Sequence, residues 1–250
     1  MTTSDSVDSA VELILNSNFA IAFTGAGISV ESGIPPFRGK DGLWSKYDPN
    51  VLDLNNFFLF PVESWKVIKE IFYDFFGSAK PNSAHIALAE LEHRKMIKAV
   101  ITQNIDNLHT IAGSKEVYEF HGNSRMLVCP NCGENYVAAE VDLNEIVPLC
   151  NKCHGVLKPD FIFFGESITT LAYQKSVEAA EKADLVIIIG STGEVTPASM
   201  IPTIAKQNGA KIIEINPERS LFTDSVTDVF LQGKATVIME QIINELKLKV

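Results

Sequence analysis

Four cysteines are the most specific chemical signal in the chain. They form two pairs, Cys129-x-x-Cys132 and Cys150-x-x-Cys153, with 17 residues between the pairs. Two knuckles at this spacing supply four thiolates, the set that closes a tetrahedral zinc site. A closed shell leaves no open position, so one such zinc per chain is expected to be structural. The run from Cys150 to His154 also fits a c-type haem attachment pattern. The second cysteine pair, the lack of an export signal and the α/β character of the chain oppose that reading.

Other polar segments could handle a ligand. Thr24-Gly25-Ala26-Gly27-Ile28-Ser29 follows an apolar run. Glycines there let the backbone approach a pyrophosphate, and a following helix N-terminus favours the anion. Val30 stands where a full dinucleotide fingerprint has its third glycine, so a plain strand-to-helix turn is the competing reading. Ser32 to Gly39 holds two prolines and two glycines, which makes it a loop. Its Phe37 and Arg38 suit a lid over a ligand, although Phe37 could equally fill the core. Thr102-Gln103-Asn104-Ile105-Asp106 offers amides and a carboxylate at a strand end, suited to a carboxamide and ribose hydroxyls or to helix capping. Of the five histidines only His121 directly follows a strand-like run. That position leaves an imidazole free to act as a general base near neutrality. His85, His93 and His109 lie in helical text, and His109 reads as packed or capping. Lys158 to Glu166 is an apolar strand with a glycine, fit either to line a channel and pair with a peptide or simply to be buried.

These segments need elements to hold them. Val7 to Asn16 has the apolar spacing of a helix. Five short apolar runs follow: Phe19 to Phe23, Ile97 to Ile101, Val117 to Phe120, Leu185 to Ile189 and Lys211 to Ile215. Continuous apolar runs suit strands covered on both faces. Helical patterns at 84–95 and 173–182 lie between them, and 236–248 reads as a closing helix. Strands alternating with helices give an α/β fold with a parallel sheet and right-handed crossovers. Two stretches break the alternation, the aromatic helical text at 41–81 and the cysteine segment at 125–155. They are expected to form a small second domain, leaving 1–40, 82–124 and 156–250 to the larger one.

Composition narrows the function. The 250 residues are 46% hydrophobic and 21% charged, which supports a real core and excludes wholesale disorder. A net charge of −10 repels phosphate backbones, so no direct nucleic-acid binding is expected, whereas a basic peptide is a plausible partner. No apolar run reaches the ~18 residues that a membrane span requires. The polar start MTTSDSVDSA is unlike a signal peptide, and a cytoplasmic location is expected.

Taken together and in order, the motifs resemble those of the sirtuins, a family of NAD-dependent protein-lysine deacylases. The matches are Gly25–Ser29, Ser32–Gly39, Thr102–Asp106, His121–Asn123, the cysteine knuckles, Lys158–Glu166 and Ile215–Glu218. The resemblance spans nearly the whole chain. It implies a Rossmann-like parallel-sheet domain with a small inserted zinc-ribbon and helical domain. NAD and an acyl-lysine peptide would enter the cleft between the two.

The resemblance also implies roles. NAD would rest on Gly25, Ala26 and Gly27, with Gly190, Ser191 and Asn216 on the adenosine side and Arg38 in the loop nearby. Asp106 would hold the nicotinamide carboxamide, and Gln103 and Asn104 would meet the ribose, Asn104 close to the reaction. The acyl oxygen would displace nicotinamide to give an imidate. His121 would then act as general base through the ribose hydroxyls, and the products would be lysine and O-acyl-ADP-ribose. Phe37 would cover the reacting sugar. Ile162 and Phe164 would line the acyl-lysine channel, with Gly165 beside them. Mono-ADP-ribosyl transfer or NAD hydrolysis would use the same site and is the alternative.

The chain departs from the family's usual pattern at Pro36, at Gly190 to Val195, and at His154, where glycine is frequent. Relatives that remove dicarboxylic acyl groups carry Tyr-x-x-Arg in the helical insert. Here Ile68 and Ile71 fall at those positions in an ungapped alignment, which favours acetyl and leaves longer apolar groups open. The competing readings are that both isoleucines simply pack the insert against the core, or that the register is shifted and Lys66 or Lys69 meets the acid.

Overall fold

The computed structural model of the chain describes residues 3–37 and 42–249, so Arg38 lies outside the described residues. In chain order the strands are β1 (Ala20–Thr24), β2 (Ile97–Thr102), β3 (Val117–Glu119), β4 (Gly122–Val128), β5 (Asn135–Val137), β6 (Lys158–Phe161), β7 (Leu185–Ile189), β8 (Lys211–Asn216) and β9 (Val229–Gln232). The helices are α1 (Thr3–Asn16), α2 (Leu54–Leu59), α3 (Pro61–Ile68), α4 (Ser83–His93), α5 (Leu108–Ala112), α6 (Thr170–Lys182), α7 (Met200–Gln207) and α8 (Ala235–Lys249).

Six strands form one sheet in the order β3-β2-β1-β7-β8-β9, every neighbouring pair parallel. The chain moves outward from β1 to β3, then returns to the other side of β1. That reversal opens a crevice beyond the carboxyl ends of β1 and β7, where ligands of open α/β sheets bind. The strands are apolar because helices cover both faces. Every position of β1 and β7 is buried. On one face Val11, Leu88 and Met239, from α1, α4 and α8, pack with Ala22 and Ile187. On the other, Ala180 and Ile201 from α6 and α7 pack with Phe23 and Ile188.

Five of the six strands are the five apolar runs of the sequence. The sixth, β9, escapes that pattern because it is a four-residue edge strand with only Leu231 buried. An edge strand half covered by helix has no long apolar run to announce it.

A second, antiparallel sheet is built from β5-β4-β6. Beside it the aromatic text folds, over residues 42–78, as short helices that include a π-helical turn, Lys69–Phe75. Asp53 caps α2 by accepting from the Asn56 amide at 2.9 Å. The two parts share a core that includes Phe57, Trp65, Ile68, Phe72, Leu127 and Phe161. Trp65 Nε1 donates to the carbonyl of Leu157 at 2.8 Å, tying the helical insert to the residue just before β6.

Candidate active site

The crevice begins with three glycines in contact. The Gly25 amide donates to Ile189 O at 3.0 Å and the Gly27 amide to Gly190 O at 2.9 Å, which joins the turn after β1 to the turn after β7. A Cβ on Gly27 would lie 2.6 Å from Gly190 Cα, and Gly190 itself has φ +64°. No side chain fits between these turns, so glycine is required for the approach. Ala26 and Gly27 stay partly exposed and form the floor of the crevice.

Neighbouring strand ends bring Gln103, Ser191 and Asn216 to the same rim. Gln103 Nε2 donates to Ser191 Oγ at 2.9 Å. Asn216 Nδ2 donates both to Ser191 O at 3.1 Å and to Glu214 Oε1 at 2.8 Å. Those bonds use both amide protons and leave Asn216 Oδ1 as an acceptor. Glu214 is fully buried and also accepts from Ser220, Thr223 and Thr227. Sequence reading passed over it, since a glutamate inside an apolar strand gives no ligand signal of its own.

Deeper in the crevice lies a buried polar cluster. Ser29 Oγ donates to Asp106 Oδ2 at 2.7 Å, and Asn104 Nδ2 donates to Ser29 Oγ at 3.1 Å and to Gly25 O at 3.2 Å. The Leu108 amide holds Asp106 Oδ1 at 2.9 Å. Burial nevertheless raises the Asp106 carboxyl above the ordinary range, outweighing the hydrogen bonds that favour its charge. Ser29, whose place in the glycine motif gives no local sign of a role, bridges Asn104 and Asp106.

Two histidines back this cluster. His85 Nε2 lies 3.4 Å from Ser29 Oγ, and its ring centroid is 4.9 Å from that of His109. His109 Nε2 meets Thr24 Oγ1 at 2.9 Å, in keeping with its expected packed role. Asn82 caps α4 in a reciprocal box with His85. That i, i+3 spacing is the signal by which His85 could have been found. Burial lowers the His85 pKa to about 4, and His109 moves in the same direction.

His121 sits between β3 and β4. Its Nδ1 lies 3.0 Å from Gln103 O, and its own carbonyl accepts from the Ile162 amide at 2.8 Å. The imidazole is therefore fastened to the β2 end, while the His121 backbone is tied to the Ile162 segment. Burial lowers its pKa, partly opposed by the Gln103 carbonyl. The Phe164 amide donates to Leu52 O at 2.8 Å, and Leu54 donates to Phe164 O at 3.1 Å, so this segment also binds the helical insert. Phe164 is 48% exposed, and Gly165 is exposed beside it. Phe37 is partly buried and packs against the aromatic core of the insert, stacked on Phe72 at 6.4 Å and tilted against Trp44 at 5.5 Å.

The four cysteine sulfurs lie within 4.8 Å of one another. Cys129 and Cys153 approach to 3.4 Å and Cys132 and Cys150 to 3.6 Å. Zinc–thiolate bonds arranged tetrahedrally put sulfurs about 3.7 Å apart, so the set fits one zinc ion. The two knuckles match in backbone: Gly133 N donates to Cys129 O and His154 N to Cys150 O, with φ +74° and +58°. The left-handed conformation explains why glycine suits the position His154 occupies.

A family model for the Sir2 family matches residues 25–197. The chain is 42% identical over 247 residues to an NAD-dependent protein deacylase of Pyrococcus furiosus, covering 94% of this chain and 96% of that protein. It is also 42% identical to an NAD-dependent protein deacetylase of Sulfolobus acidocaldarius, covering 94% and 93%. Among solved structures, one described as a Sir2–p53 peptide–NAD+ complex superposes with a TM-score of 0.90 at 35% identity, covering 97% and 99%. Another, Sir2 bound to acetylated peptide, gives 0.88 at 35%, covering 96% and 98%.

Proposed function

The chain belongs to the Sir2 family, and we propose that it removes acetyl groups from protein lysine at the expense of NAD. The single observation that carries this reading is the setting of His121. A backbone carbonyl can only accept, so the contact with Gln103 O fixes the proton on Nδ1 and leaves Nε2 as a base. That base lies between the β2 end, where the polar cluster sits, and the Ile162–Gly165 segment. A site for glycosidic cleavage alone has no need of it, which favours deacylation over ADP-ribosyl transfer or hydrolysis.

NAD supplies an electrophilic sugar carbon with nicotinamide as leaving group. The turn of Gly25, Ala26 and Gly27 receives the pyrophosphate, and Ser191 and Asn216 receive the adenosine side. Asn216 Oδ1 accepts from a hydroxyl or amino group there. Asp106, anchored by Ser29, holds the carboxamide, while Gln103 and Asn104 orient the ribose. His121 Nε2 draws the ribose proton that lets the sugar oxygen attack the activated acyl carbon. Phe37 shields the sugar from water. Acyl-lysine passes between Ile162 and Phe164, with Gly165 against the peptide. The helical insert and the segment at 125–155 form the small domain, and zinc on Cys129, Cys132, Cys150 and Cys153 holds the latter together without entering the reaction. Among the described residues no helix is long and apolar enough to cross a membrane.

The test is to incubate the protein with NAD and an acetyl-lysine peptide and to analyse the products by mass spectrometry. Free lysine peptide with O-acetyl-ADP-ribose in equal amounts is the expected result. ADP-ribose without deacetylated peptide would identify a hydrolase instead.

A further inference from the structure

Lys158 is an unusual lysine. It is 5% exposed, and its Nζ has three acceptors for three protons: Pro159 O at 2.9 Å, Phe161 O at 2.7 Å and Glu166 Oε2 at 3.0 Å. The ammonium also lies 4.2 Å from the centroid of the Phe163 ring. Glu166 in turn accepts the Phe163 amide at 2.6 Å, while its own amide donates to Phe163 O at 3.0 Å. Burial lowers the Lys158 pKa, and the Glu166 carboxylate opposes that shift. Burying a lysine costs free energy that only good partners offset. The pair therefore calls for a local reason.

The reason lies in what the pair spans. Lys158 opens β6 and Glu166 closes the turn after it, so the ion pair clamps the backbone that carries Ile162 to Gly165. Side chains alternate along an extended segment. Phe163 is 1% exposed and packs on the ion-pair side, whereas Ile162 is half-buried and Phe164 is 48% exposed. The same backbone is fixed at its ends by His121 O and by Leu52 and Leu54. The clamp adds to these ties and to the packing of Phe163 on Phe57 and Phe161, and it lies on the face opposite Ile162 and Phe164.

We propose that the Lys158–Glu166 pair is the positioning element of the acyl-lysine channel, setting the Ile162–Gly165 segment for peptide binding while leaving the NAD site independent. This rests on the deacylase reading above. Neither residue touches substrate; both act through the segment they clamp.

The experiment compares wild type with Glu166→Gln, Lys158→Met and the double variant. A fluorescent acetyl-lysine peptide is titrated by anisotropy in the presence of ADP-ribose, NAD binding is measured by calorimetry, and kcat and KM are determined. Each single variant is expected to weaken peptide binding and raise peptide KM about tenfold, with kcat within about threefold. NAD affinity stays within about twofold, and the double variant is no worse than the worse single one, because both remove one pair. Unchanged peptide binding overturns the proposal. So does a parallel loss of NAD affinity, which marks a general folding defect, and so does a wild-type protein that fails to bind peptide. A wild type that binds the peptide without deacetylating it defeats the deacylase reading alone, since the binding comparison still reads the clamp.

Discussion

His121 Nδ1 lies 3.0 Å from the main-chain carbonyl of Gln103, the residue that begins the polar run at the end of β2. The contact ties the His121 imidazole to the backbone of the polar run after β2. Gln103 N donates to Thr24 O at 3.0 Å, so the connection extends to the end of β1 and the glycine turn. On the proposed reading, this backbone connection would hold the base in register with the glycine turn.

The first prediction concerns that base. Because burial lowers the His121 pKa below its ordinary 6.5, the imidazole is neutral at pH 7. The acid limb of kcat/KM is expected below 6.5, and His121→Ala should lower deacetylation by at least ~10²-fold. Nicotinamide exchange, which reads glycosidic cleavage, should fall less. Near-normal peptide turnover in that variant removes His121 from the mechanism.

A second prediction concerns the four thiolates. Metal analysis of the purified protein is expected to give one zinc per chain, and Cys129→Ala or Cys150→Ala should lose it. Cys129 and Cys150 are buried in the small-unit core with Phe57 and Phe161, so metal loss should loosen that unit. A variant that is metal-free yet fully stable and active would show that the cysteines serve another purpose.

Legibility from sequence followed local pattern. The runs that became β1, β2, β7 and β8 were readable because nearly every residue in them is buried. The cysteine spacing was readable because metal geometry fixes it. His121 stood out because the apolar run Val117 to Phe120 ends immediately before it. By contrast, Ser29 acts through contacts between distant segments, 75 residues from Asn104 and 77 from Asp106. Local periodicity carries no record of such pairs. Lys158 was visible only as part of a motif, since nothing in its type foretells burial.

The third prediction follows from the buried histidines. A lowered folded-state pKa means that the unfolded chain binds the proton first. Stability is therefore full above 6.5 and falls as pH drops from 6.5 towards the folded value of about 4 for His85. The loss from that one group is on the order of 3 kcal/mol. His109 shifts in the same direction. Urea titrations should give a midpoint that declines across this window, with a shallower decline in His85→Gln. A flat profile in the wild type would sink the assignment.

The fourth concerns the second knuckle. His154 holds φ +58° where its counterpart Gly133 holds +74°. A left-handed conformation costs an L-residue roughly 1–2 kcal/mol, part of which glycine returns through its looser unfolded chain. His154→Gly should therefore stabilise the zinc-loaded protein by up to about 1 kcal/mol, and Gly133→Ala should destabilise it. Chemical denaturation of both variants decides the matter; destabilisation by His154→Gly would overturn the account.

The last prediction is the acyl group. A dicarboxylic acyl chain carries a charge that must meet a cation or a hydrogen-bond donor once it leaves water. At the two positions where relatives with that preference carry Tyr and Arg, this chain carries Ile68 and Ile71, which are 0% and 1% exposed. Both lie in the core that also holds Trp65, Phe72 and Phe161. The nearby lysines do not repair the deficit. Lys69 Nζ already holds both oxygens of Asp74, at 2.8 and 2.7 Å, and Lys66 is exposed on α3. Sheltering a carboxylate beside two isoleucines leaves it unpaired, which costs several kcal/mol. A methyl group meets no such penalty. On one peptide sequence, kcat/KM for acetyl-lysine should thus exceed that for succinyl-lysine by at least ~10-fold, a difference of about 1.4 kcal/mol. Ile71→Arg should narrow the gap by supplying the missing cation. Succinyl-lysine as the better substrate of the wild type would mean that Lys66 or Lys69 leaves its present position to meet the acid.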